Sequence, residues 1–356
     1  MVIPRLVKRA FKYRFQPNDA QAAELSRTFG CVRKVYNLAL AARTEAWARQ
    51  ERVNYNATSA MLTAWKKTEG LAYLSEVSSV PLQQGLRHLQ GAFANFFAKR
   101  GKYPRFKSRK KSRRSAEYTS SAFRYRDGAL TLAKMDEPLR IVWSRSLPEG
   151  AVPSTVTVSQ DAAGRWSVSM LCDDIPAPMP ETTQAVGIDA GITSLVTLST
   201  GEKVTSPKFE RTDRARLAKA QRNLSRKAKG DGVNRAKARR KVAKIHARIA
   251  DRRRDHLHKL TTRLVRENQT IVIEDLTVRN MVKNHTLARA ISGRMPLHIR
   301  EWTCGCGVTH DRDVNAATNI LAAGLAVSVC GAGVRPQRST PGGQSATKQK
   351  APRREP

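Results

Sequence analysis

The chain has 356 residues, of which 65 are Lys or Arg and 29 are Asp or Glu, so its formal net charge is +36. A pI near 10.9 indicates a polyanionic partner, most often a nucleic acid. Hydrophobic residues make up 40% of the chain, which excludes wholesale disorder. No run of ~18 apolar residues occurs, so we expect no membrane contact. Five cysteines, an odd number, favour a reducing compartment, the cytoplasm or its nucleoid, over a disulfide framework.

The amino-terminal region changes from a strand pattern to a helical pattern. Three aromatic side chains alternate with basic ones in a predicted half-buried strand: Phe11, Tyr13 and Phe15. Asn18 is the predicted N-cap of a helix that runs to about Gln50. A second helix follows, and a third begins at Pro81 with apolar side chains at helical spacing. These helices predict an α-helical core.

Alternation returns after residue 117. A hairpin is predicted across Asp127-Gly128, and a second pair of strands follows it. The simplest architecture is a wedge-like β-barrel domain formed by residues 1–16 and 117–174. A helical recognition insertion, residues 17–116, then lies between the first strand and the others.

The stretch Lys99–Arg114 contains ten basic residues among sixteen and no acidic residue. Such a run is either a solvated face or a phosphate-binding element, and its embedded aromatic side chains favour the second interpretation. The candidate nucleic-acid contacts here are Lys99, Arg100, Lys102, Tyr103, Arg105, Phe106 and Lys107.

A second basic region covers residues 208–268, with 22 basic and 6 acidic residues. Its pattern is helical, and the glycines Gly230 and Gly232 divide it into a helical hairpin that is too basic to be buried on all sides. The candidate nucleic-acid contacts in this region are Arg226, Lys227, Arg239 and Arg240. The last residues, 335–356, are predicted to form a disordered basic tail.

Three acidic residues stand out by their context. Asp189 interrupts an apolar strand, Glu274 ends another predicted buried strand over 270–276, and Asp313 lies at the start of a helix predicted from about Asp311. Each has an ordinary alternative: a turn, an ion pair or an N-cap. Together, in a chain of this charge, they favour a nuclease that binds Mg²⁺ or Mn²⁺, because two such ions activate water and stabilise the leaving oxygen of a phosphodiester.

Three motifs carry a resemblance to a known family: Gly187–Gly191, Ile271–Leu276 and Asp311–Leu321. In this order they closely resemble the TnpB proteins of bacterial insertion sequences, which are compact relatives of type V CRISPR effectors. The resemblance implies an α+β multidomain fold, with the barrel and its helical insertion followed by an RNase H-like RuvC nuclease domain over 184–330. It also implies that Asp189, Glu274 and Asp313 are the catalytic acids, with Asp311 as the alternative third acid.

The resemblance implies a function as well. A TnpB protein is an RNA-guided DNA endonuclease of a transposon, whose partners are a guide RNA and double-stranded DNA. The alternative is an RNA-guided DNA-binding protein with an impaired nuclease. The guide, the motif adjacent to the target and the oligomeric state stay open.

The sequence departs from the family between two of the motifs. Only 38 residues separate Glu274 from Asp313, so part of a helix, a core strand and the first of two zinc-binding Cys pairs are expected to be missing. Residues 300–310 resemble a zinc-finger remnant. Cys304 and Cys306 supply two ligands where a structural Zn²⁺ site needs four, and recruiting His298 and His310 would be an improvised solution.

Overall fold

The computed structural model describes residues 6–109, 112–175, 180, 182–191, 194–205, 207, 209–228, 232–274, 301–303, 309–311, 317, 318, 320, 321 and 325. The tail predicted over 335–356 lies outside them. The chain divides into two compact units. Unit 1 comprises Met1–Pro178 and Glu210–Asp251, and unit 2 comprises Met179–Phe209 and Arg252–Pro356.

Unit 1 contains seven described strands. They are β1 (Val7–Gln16), β2 (Arg114–Thr119), β3 (Phe123–Arg126), β4 (Ala129–Leu132), β5 (Arg140–Val142), β6 (Thr155–Gln160) and β7 (Trp166–Asp174). Five of them form an antiparallel sheet in the order β2-β6-β7-β1-β5, and β3 pairs only with β4 in a separate hairpin. The predicted alternation in β1 is confirmed, because Phe11, Tyr13 and Phe15 are all buried in the core beneath the sheet.

The predicted closed barrel is wrong for the described residues. Strands β2 and β5 are the two edges of the five-stranded sheet and do not pair with each other. The hairpin of β3 and β4 takes no backbone hydrogen bonds from this sheet but packs on the same core through Leu130 and Leu132. The strands therefore enclose one core by side-chain packing, without the continuous hydrogen bonding that closes a barrel.

Three helices follow β1 as predicted: α1 (Asp19–Ala48), α2 (Tyr55–Lys67) and α3 (Ser79–Phe97). A short 3-10 helix, Glu69–Ser75, lies between α2 and α3. Asn18 is confirmed as the N-cap, because its side chain accepts a hydrogen bond from Gln21 N at 2.8 Å and Gln21 Oε1 accepts one from Asn18 N at 3.2 Å. The helices share a second core that includes Leu82, Leu86 and Leu89.

The basic helical hairpin is confirmed as two helices, α4 (Phe209–Ser225) and α5 (Gly232–Glu267). A small apolar cluster joins them, centred on Ala220, Ile245 and Ile249. The remaining faces are rich in Lys and Arg. None of the helices in the described part of the chain is both long enough and apolar enough to cross a membrane.

Unit 2 contains a mixed sheet of β8 (Ala185–Asp189), β9 (Ser194–Leu198), β10 (Lys203–Thr205) and β11 (Thr270–Ile273), in the order β10-β9-β8-β11. Strand β11 runs parallel to β8, and the other pairs are antiparallel. A separate pair joins β12 (Glu301–Thr303) to β13 (Thr309–Asp311). The helix predicted from about Asp311 begins later, because the backbone of Asp311 is paired with Glu301.

The prediction of a buried strand over 270–276 is also wrong. Strand β11 ends at Ile273, and the exposed fraction is 36% for Ile271 and 68% for Ile273. The apolar cluster on this face of the sheet joins β8, β9 and β10 to α5 through Leu260 and Leu264, and it does not include β11. Within the described residues β11 is thus an edge strand with a partly uncovered face.

Candidate functional site

Asp189 and Glu274 lie at the carboxyl ends of two neighbouring parallel strands. Strand β8 ends at Asp189, and β11 ends one residue before Glu274. The register pairs Ile273 with Ile188. Continued by one residue beyond the end of β11, the same register would set Glu274 opposite Asp189. Register partners on adjacent parallel strands share one face of the sheet, and such strands lie ~4.8 Å apart. The ends of β8 and β11 therefore lie at the same edge of the sheet, where Asp189 is half-buried and Glu274 is exposed.

A helical segment packs on the face of β8 that carries Asp189. Gly187 precedes Asp189 by two residues and so lies on the same face. A Cβ atom at Gly187 would touch the carbonyl oxygen of Ala317 and would lie 2.7 Å from Leu321 Cβ and 2.9 Å from Leu321 N. Ala317 is fully buried. Glycine is required at position 187 because the backbone of another segment approaches this closely.

Thr197 lies beside Asp189 on the opposite flank of β8. Strand β9 places Thr197 directly across from Asp189, so their Cβ atoms are on one face, roughly 4.5–5.5 Å apart. Thr197 is fully buried, and its hydroxyl has no hydrogen-bond partner in the described part of the chain. A buried hydroxyl without a hydrogen-bond partner lowers the stability of the fold, so we expect it to bond to a polar group.

The remaining predicted metal ligands are not described. Asp313, Cys304 and Cys306 lie outside the described residues, whereas Asp311 ends β13. Among the described residues, no group of three or more His, Cys, Asp or Glu side chains is close enough to hold a metal ion. The Mg²⁺ site and the Zn²⁺ site both stay predictions.

The middle of the first basic stretch is an irregular segment, residues 102–109, which we term the basic strap. Lys107 pairs its backbone with the Asn37 side chain on α1: its N–H donates to Asn37 Oδ1 at 2.8 Å, and its carbonyl accepts from Asn37 Nδ2 at 2.9 Å. Lys107 Nζ lies 3.8 Å from the ring centroid of Tyr36. Burial lowers the pKa of Lys107 below its ordinary value. Lys107 therefore anchors the strap.

The other end of the strap is anchored by Tyr103. Its ring meets Phe93 and Phe96 of α3 edge-on, at centroid distances of 5.5 and 5.3 Å, and its hydroxyl is 2.9 Å from Thr44 Oγ1 on α1. Pro104, the next residue, is buried. Between these anchors Arg105 and Phe106 are exposed. Arg105 and Phe106 are thus held between two anchors, of which Tyr103 is itself 42% exposed.

The first three predicted basic contacts stand at the start of the same stretch. Lys99 adopts a left-handed conformation, with φ 57°, directly after α3. The backbone N–H of Lys99 donates to Phe96 O at 2.9 Å, and that of Arg100 donates to Asn95 O at 2.8 Å. These bonds cap the helix and leave the side chains of Lys99, Arg100 and Lys102 exposed.

The predicted contacts in the basic hairpin have different surroundings. Arg226 and Arg239 are exposed, while Lys227 is half-buried and its carbonyl accepts a hydrogen bond from Arg235. Arg240 donates from Nε to Ala163 O at 3.2 Å, at the turn between β6 and β7. Arg240 therefore has a structural partner within unit 1.

Two residues that shape these sites were not predicted from the sequence. Asn37 lies in the middle of α1, where an Asn usually faces solvent, and no local pattern indicates a partner seventy residues away. Thr197 lies in a short strand as an ordinary β-branched residue. Only the register of β8 with β9 places it beside Asp189. Both signals are long-range and cannot be read from neighbouring residues.

Known families match along most of the chain. A model of the OrfB_IS605 family, described as a probable transposase, matches residues 156–285, and a helix-turn-helix domain model matches residues 1–52. A Cas12f1-like TNB domain matches residues 282–320. A curated protein of Streptomyces pristinaespiralis is 66% identical over 98% of this chain and 97% of its own length, and is named "Putative RNA-guided DNA endonuclease". The chain belongs to the TnpB family. This confirms the resemblance carried by the three motifs.

Further relatives are more distant. An Escherichia coli protein with the same name and the suffix InsQ is 36% identical over 77% of this TnpB chain and 68% of its own length. A solved complex of Cas12f1 with sgRNA and target DNA gives a TM-score of 0.44 at 10% identity, covering 76% of this chain and 81% of that chain. That likeness is too weak to support an inference.

The alignment with the Streptomyces relative leaves gaps in this chain. It is 391 positions long, whereas this chain has only 356 residues. At least 35 positions of the relative therefore have no counterpart in this TnpB chain. A loss of this size agrees with the departure predicted between Glu274 and Asp313.

Proposed function

We propose that this protein is an RNA-guided DNA endonuclease of a bacterial transposon, with its nuclease site at the end of β8 and β11. Family membership supports the reaction class. The observation that supports the site is the parallel register of β8 with β11, which ends one residue before Asp189 and Glu274. Two carboxylates at adjacent strand ends repel each other unless a cation or a proton compensates them.

The residues present fit a divalent metal ion. Carboxylate oxygens are the ligands that Mg²⁺ and Mn²⁺ prefer, and the buried Thr197 hydroxyl adds a polar group on the same face. Asp189 and Glu274 would hold the ions, with Asp313 as the third ligand, since Ala317 packs against Gly187 and four residues span at most ~14 Å. Two such ions would supply an activated water and would stabilise the leaving oxygen of the DNA phosphodiester.

The basic strap and the basic hairpin would bind the guide RNA and its heteroduplex with DNA. Their cations face many phosphates, and displaced counterions make the logarithm of affinity fall steeply with the logarithm of salt concentration. Because base pairing with the guide selects the target, the protein itself is expected to read backbone and shape.

The decisive experiment is to purify the protein from cells that carry its flanking DNA and to sequence the RNA that it retains at moderate salt. We expect one specific RNA from next to the gene. The retained RNA should then direct binding to a matching duplex and not to a scrambled one. Recovery of random fragments alone would contradict guided binding.

A second candidate function is guided DNA binding with an impaired nuclease. Two observations favour it: the gaps, which total at least 35 positions, and the uncovered Ile273 on strand β11. A catalytic site tolerates only ~0.5 Å of looseness in its ligands, so lost support for the sheet weakens cleavage before it weakens binding. Comparing guided binding with guided cleavage in the same preparation separates the two candidates.

A further inference from the structure

The basic strap presents the ring of Phe106 to solvent at a fixed place. Phe106 is 62% exposed, although the residues on either side of it are held: Tyr103 and Pro104 pack on the helices, and Lys107 is pinned to Asn37. An exposed phenylalanine on a flexible loop is unremarkable. On an anchored segment its position is fixed before any partner binds, which lowers the entropy lost on binding.

The surroundings of Phe106 define the chemistry of its partner. Arg105 is its exposed neighbour, Lys102 and Arg109 are exposed nearby in the strap, and the whole stretch Lys99–Arg114 lacks an acidic residue. Cations that line a backbone, together with an aromatic face, are the combination that binds unpaired nucleotides, since every base offers a π-face for stacking. An acidic peptide would form ion pairs with the Lys and Arg side chains but would offer no base to stack on the Phe106 ring.

We infer that Phe106 stacks on an unpaired base of the guide RNA, while Arg105 and Lys102 contact the flanking phosphates. This inference rests on the proposed function. Tyr103 and Lys107, which the sequence also suggests as nucleic-acid contacts, anchor the strap on α1 and α3. The site therefore selects single-stranded over double-stranded segments, because a base in a duplex is already stacked.

The test compares Phe106→Leu with Trp47→Leu in the full-length protein. Trp47, on α1, is 64% exposed and so controls for the loss of any exposed aromatic ring. The probes are an unpaired oligoribonucleotide and the same strand annealed to its complement. We expect Phe106→Leu to weaken binding of the unpaired probe about tenfold or more, the effect of losing one stacked base, with duplex binding and the salt dependence unchanged. Phe106→Trp should restore binding, and Trp47→Leu should have no effect.

Equal effects of Phe106→Leu on both probes, or none on either, would overturn the stacking role. If Arg105→Ala still lowers affinity and reduces the salt dependence in that case, phosphate binding by the strap survives without the stacked base. The proposed function fails separately, if the unaltered protein retains no specific RNA.

A second inference comes from the buried hydroxyl in unit 2. Thr197 is across from Asp189 on one face of the sheet, and its hydroxyl has no partner in the described part of the chain. Carboxylates that hold metals are commonly oriented by a hydrogen bond from a neighbouring group. We propose that Thr197 is a positioning residue: its hydroxyl, which lacks a partner among the described residues, donates to the Asp189 carboxylate when a metal ion binds there and so fixes that carboxylate.

The test uses Thr197→Val, which keeps the shape of the side chain and removes the hydroxyl. The readouts are Mn²⁺ binding, followed by the electron paramagnetic resonance signal of free Mn²⁺, and thermal unfolding without metal. We expect metal-free stability to be equal or higher, because a buried unsatisfied group is gone, and Mn²⁺ affinity to fall about 10- to 100-fold. Thr197→Ser, which retains the hydroxyl, should bind Mn²⁺ nearly as the unaltered protein does.

Unchanged Mn²⁺ affinity in Thr197→Val would overturn the positioning role and leave Thr197 as a packing residue. Asp189→Asn serves as the reference for a lost ligand. If Asp189→Asn also binds Mn²⁺ unchanged, the metal site lies elsewhere and the proposed site fails with it.

Discussion

The two sheets of the molecule differ in how completely they are covered. In unit 1 the strands and helices bury two large apolar clusters, and Phe11, Tyr13 and Phe15 are all nearly inaccessible. In unit 2 a small cluster joins β8, β9 and β10 to α5, and Ile273 of β11 is 68% exposed. The described part of unit 1 supplies its own core, while the described part of unit 2 leaves one edge strand half covered.

Because of this difference, we expect RNA binding and DNA cleavage to tolerate different changes in the chain. Under the proposed function, RNA binding by exposed cations depends mainly on the fold of unit 1, which contains the basic strap and most of the basic hairpin, and phosphate contacts are numerous and individually weak. Cleavage needs Asp189 and Glu274 at fixed positions, which depends on the packing around β8 and β11. Changes in unit 2 should therefore affect cleavage first, and changes in unit 1 should affect stability and binding.

The largest expected effect is the loss of cleavage in Asp189→Ala. If Asp189 holds the metal ions as proposed, its removal should reduce guided cleavage to background in Mg²⁺ or Mn²⁺, as should chelation by EDTA, because the ions can then no longer activate water. RNA retention should stay unchanged. Cleavage of a labelled target duplex and the yield of copurified RNA measure the two effects. Cleavage that survives Asp189→Ala combined with Glu274→Ala would place the nuclease elsewhere.

The next largest expected effect is an increase in guided DNA cleavage. Inserting the segment of the Streptomyces relative that has no counterpart here should raise guided cleavage about 100-fold or more, since misplacement of reacting groups by about 1 Å costs that much. DNA binding should change little. The control is the same insertion with Asp189→Ala, which should stay inactive. If the chain as it stands already cuts as well as the restored one, the loss does not impair the nuclease.

Local features of the fold were predictable from the sequence, and long-range ones were not. The Asn18 cap and the turn at Asp127-Gly128 depend on residues a few positions apart, and the structure confirms both, with φ 49° and 75° in the turn. The exposure of Ile273, the open edges of the first sheet and the partner of Asn37 depend on segments far away in the chain. The apolar run at 270–273 reads the same whether or not a neighbour covers it.

In the candidate site, too, some features were predictable from nearby residues and others depend on distant segments. Asp189 and Glu274 were predictable because acids that interrupt or end apolar strands are unusual. Their adjacency depends on the register of β8 with β11, which the sequence does not specify directly. The anchoring role of Tyr103 and Lys107 was missed, because a basic stretch with aromatic residues has the same composition whether its side chains point inward or outward.

A pair of glycine substitutions sharpens the contrast between the units. Gly187→Ala should destabilise unit 2 by about 1–3 kcal/mol, because its Cβ would meet the backbone at Ala317 and Leu321. Gly30→Ala on α1 should stabilise unit 1 by about 0.5–1 kcal/mol, because a Cβ there meets nothing within 4 Å and alanine favours the helix. Thermal unfolding of the two variants measures the opposite signs.

Cleavage should fall in Gly187→Ala and stay unchanged in Gly30→Ala. A destabilised Gly30→Ala, or a Gly187→Ala variant of unaltered stability, would contradict the packing described for these positions. Gly187→Ala also tests the placement of the segment around Ala317, since that segment alone provides the contact.

The smallest expected effect is the loss of the cap of α1 in Asn18→Ala. The Asn18 side chain accepts from Gln21 N at 2.8 Å and donates from Nδ2 to Glu137 Oε2 at 3.0 Å. The first bond satisfies a helix N–H that otherwise lacks a partner, and losing it should cost about 1 kcal/mol. The second bond is exposed and should contribute little. Asn18→Asp separates them, because it keeps the acceptor and places a second negative charge beside Glu137.

Asn18→Ala should therefore lower the stability of unit 1, and Asn18→Asp should lower it less. Both variants should retain RNA as the unaltered protein does, because about 1 kcal/mol is a small part of the stability of a well-packed domain. Chemical unfolding at matched protein concentration measures the difference. An Asn18→Ala variant that loses RNA while still folded would show that the amino-terminal end of α1 takes part in binding, and that the two units do not divide the activities as their cores suggest.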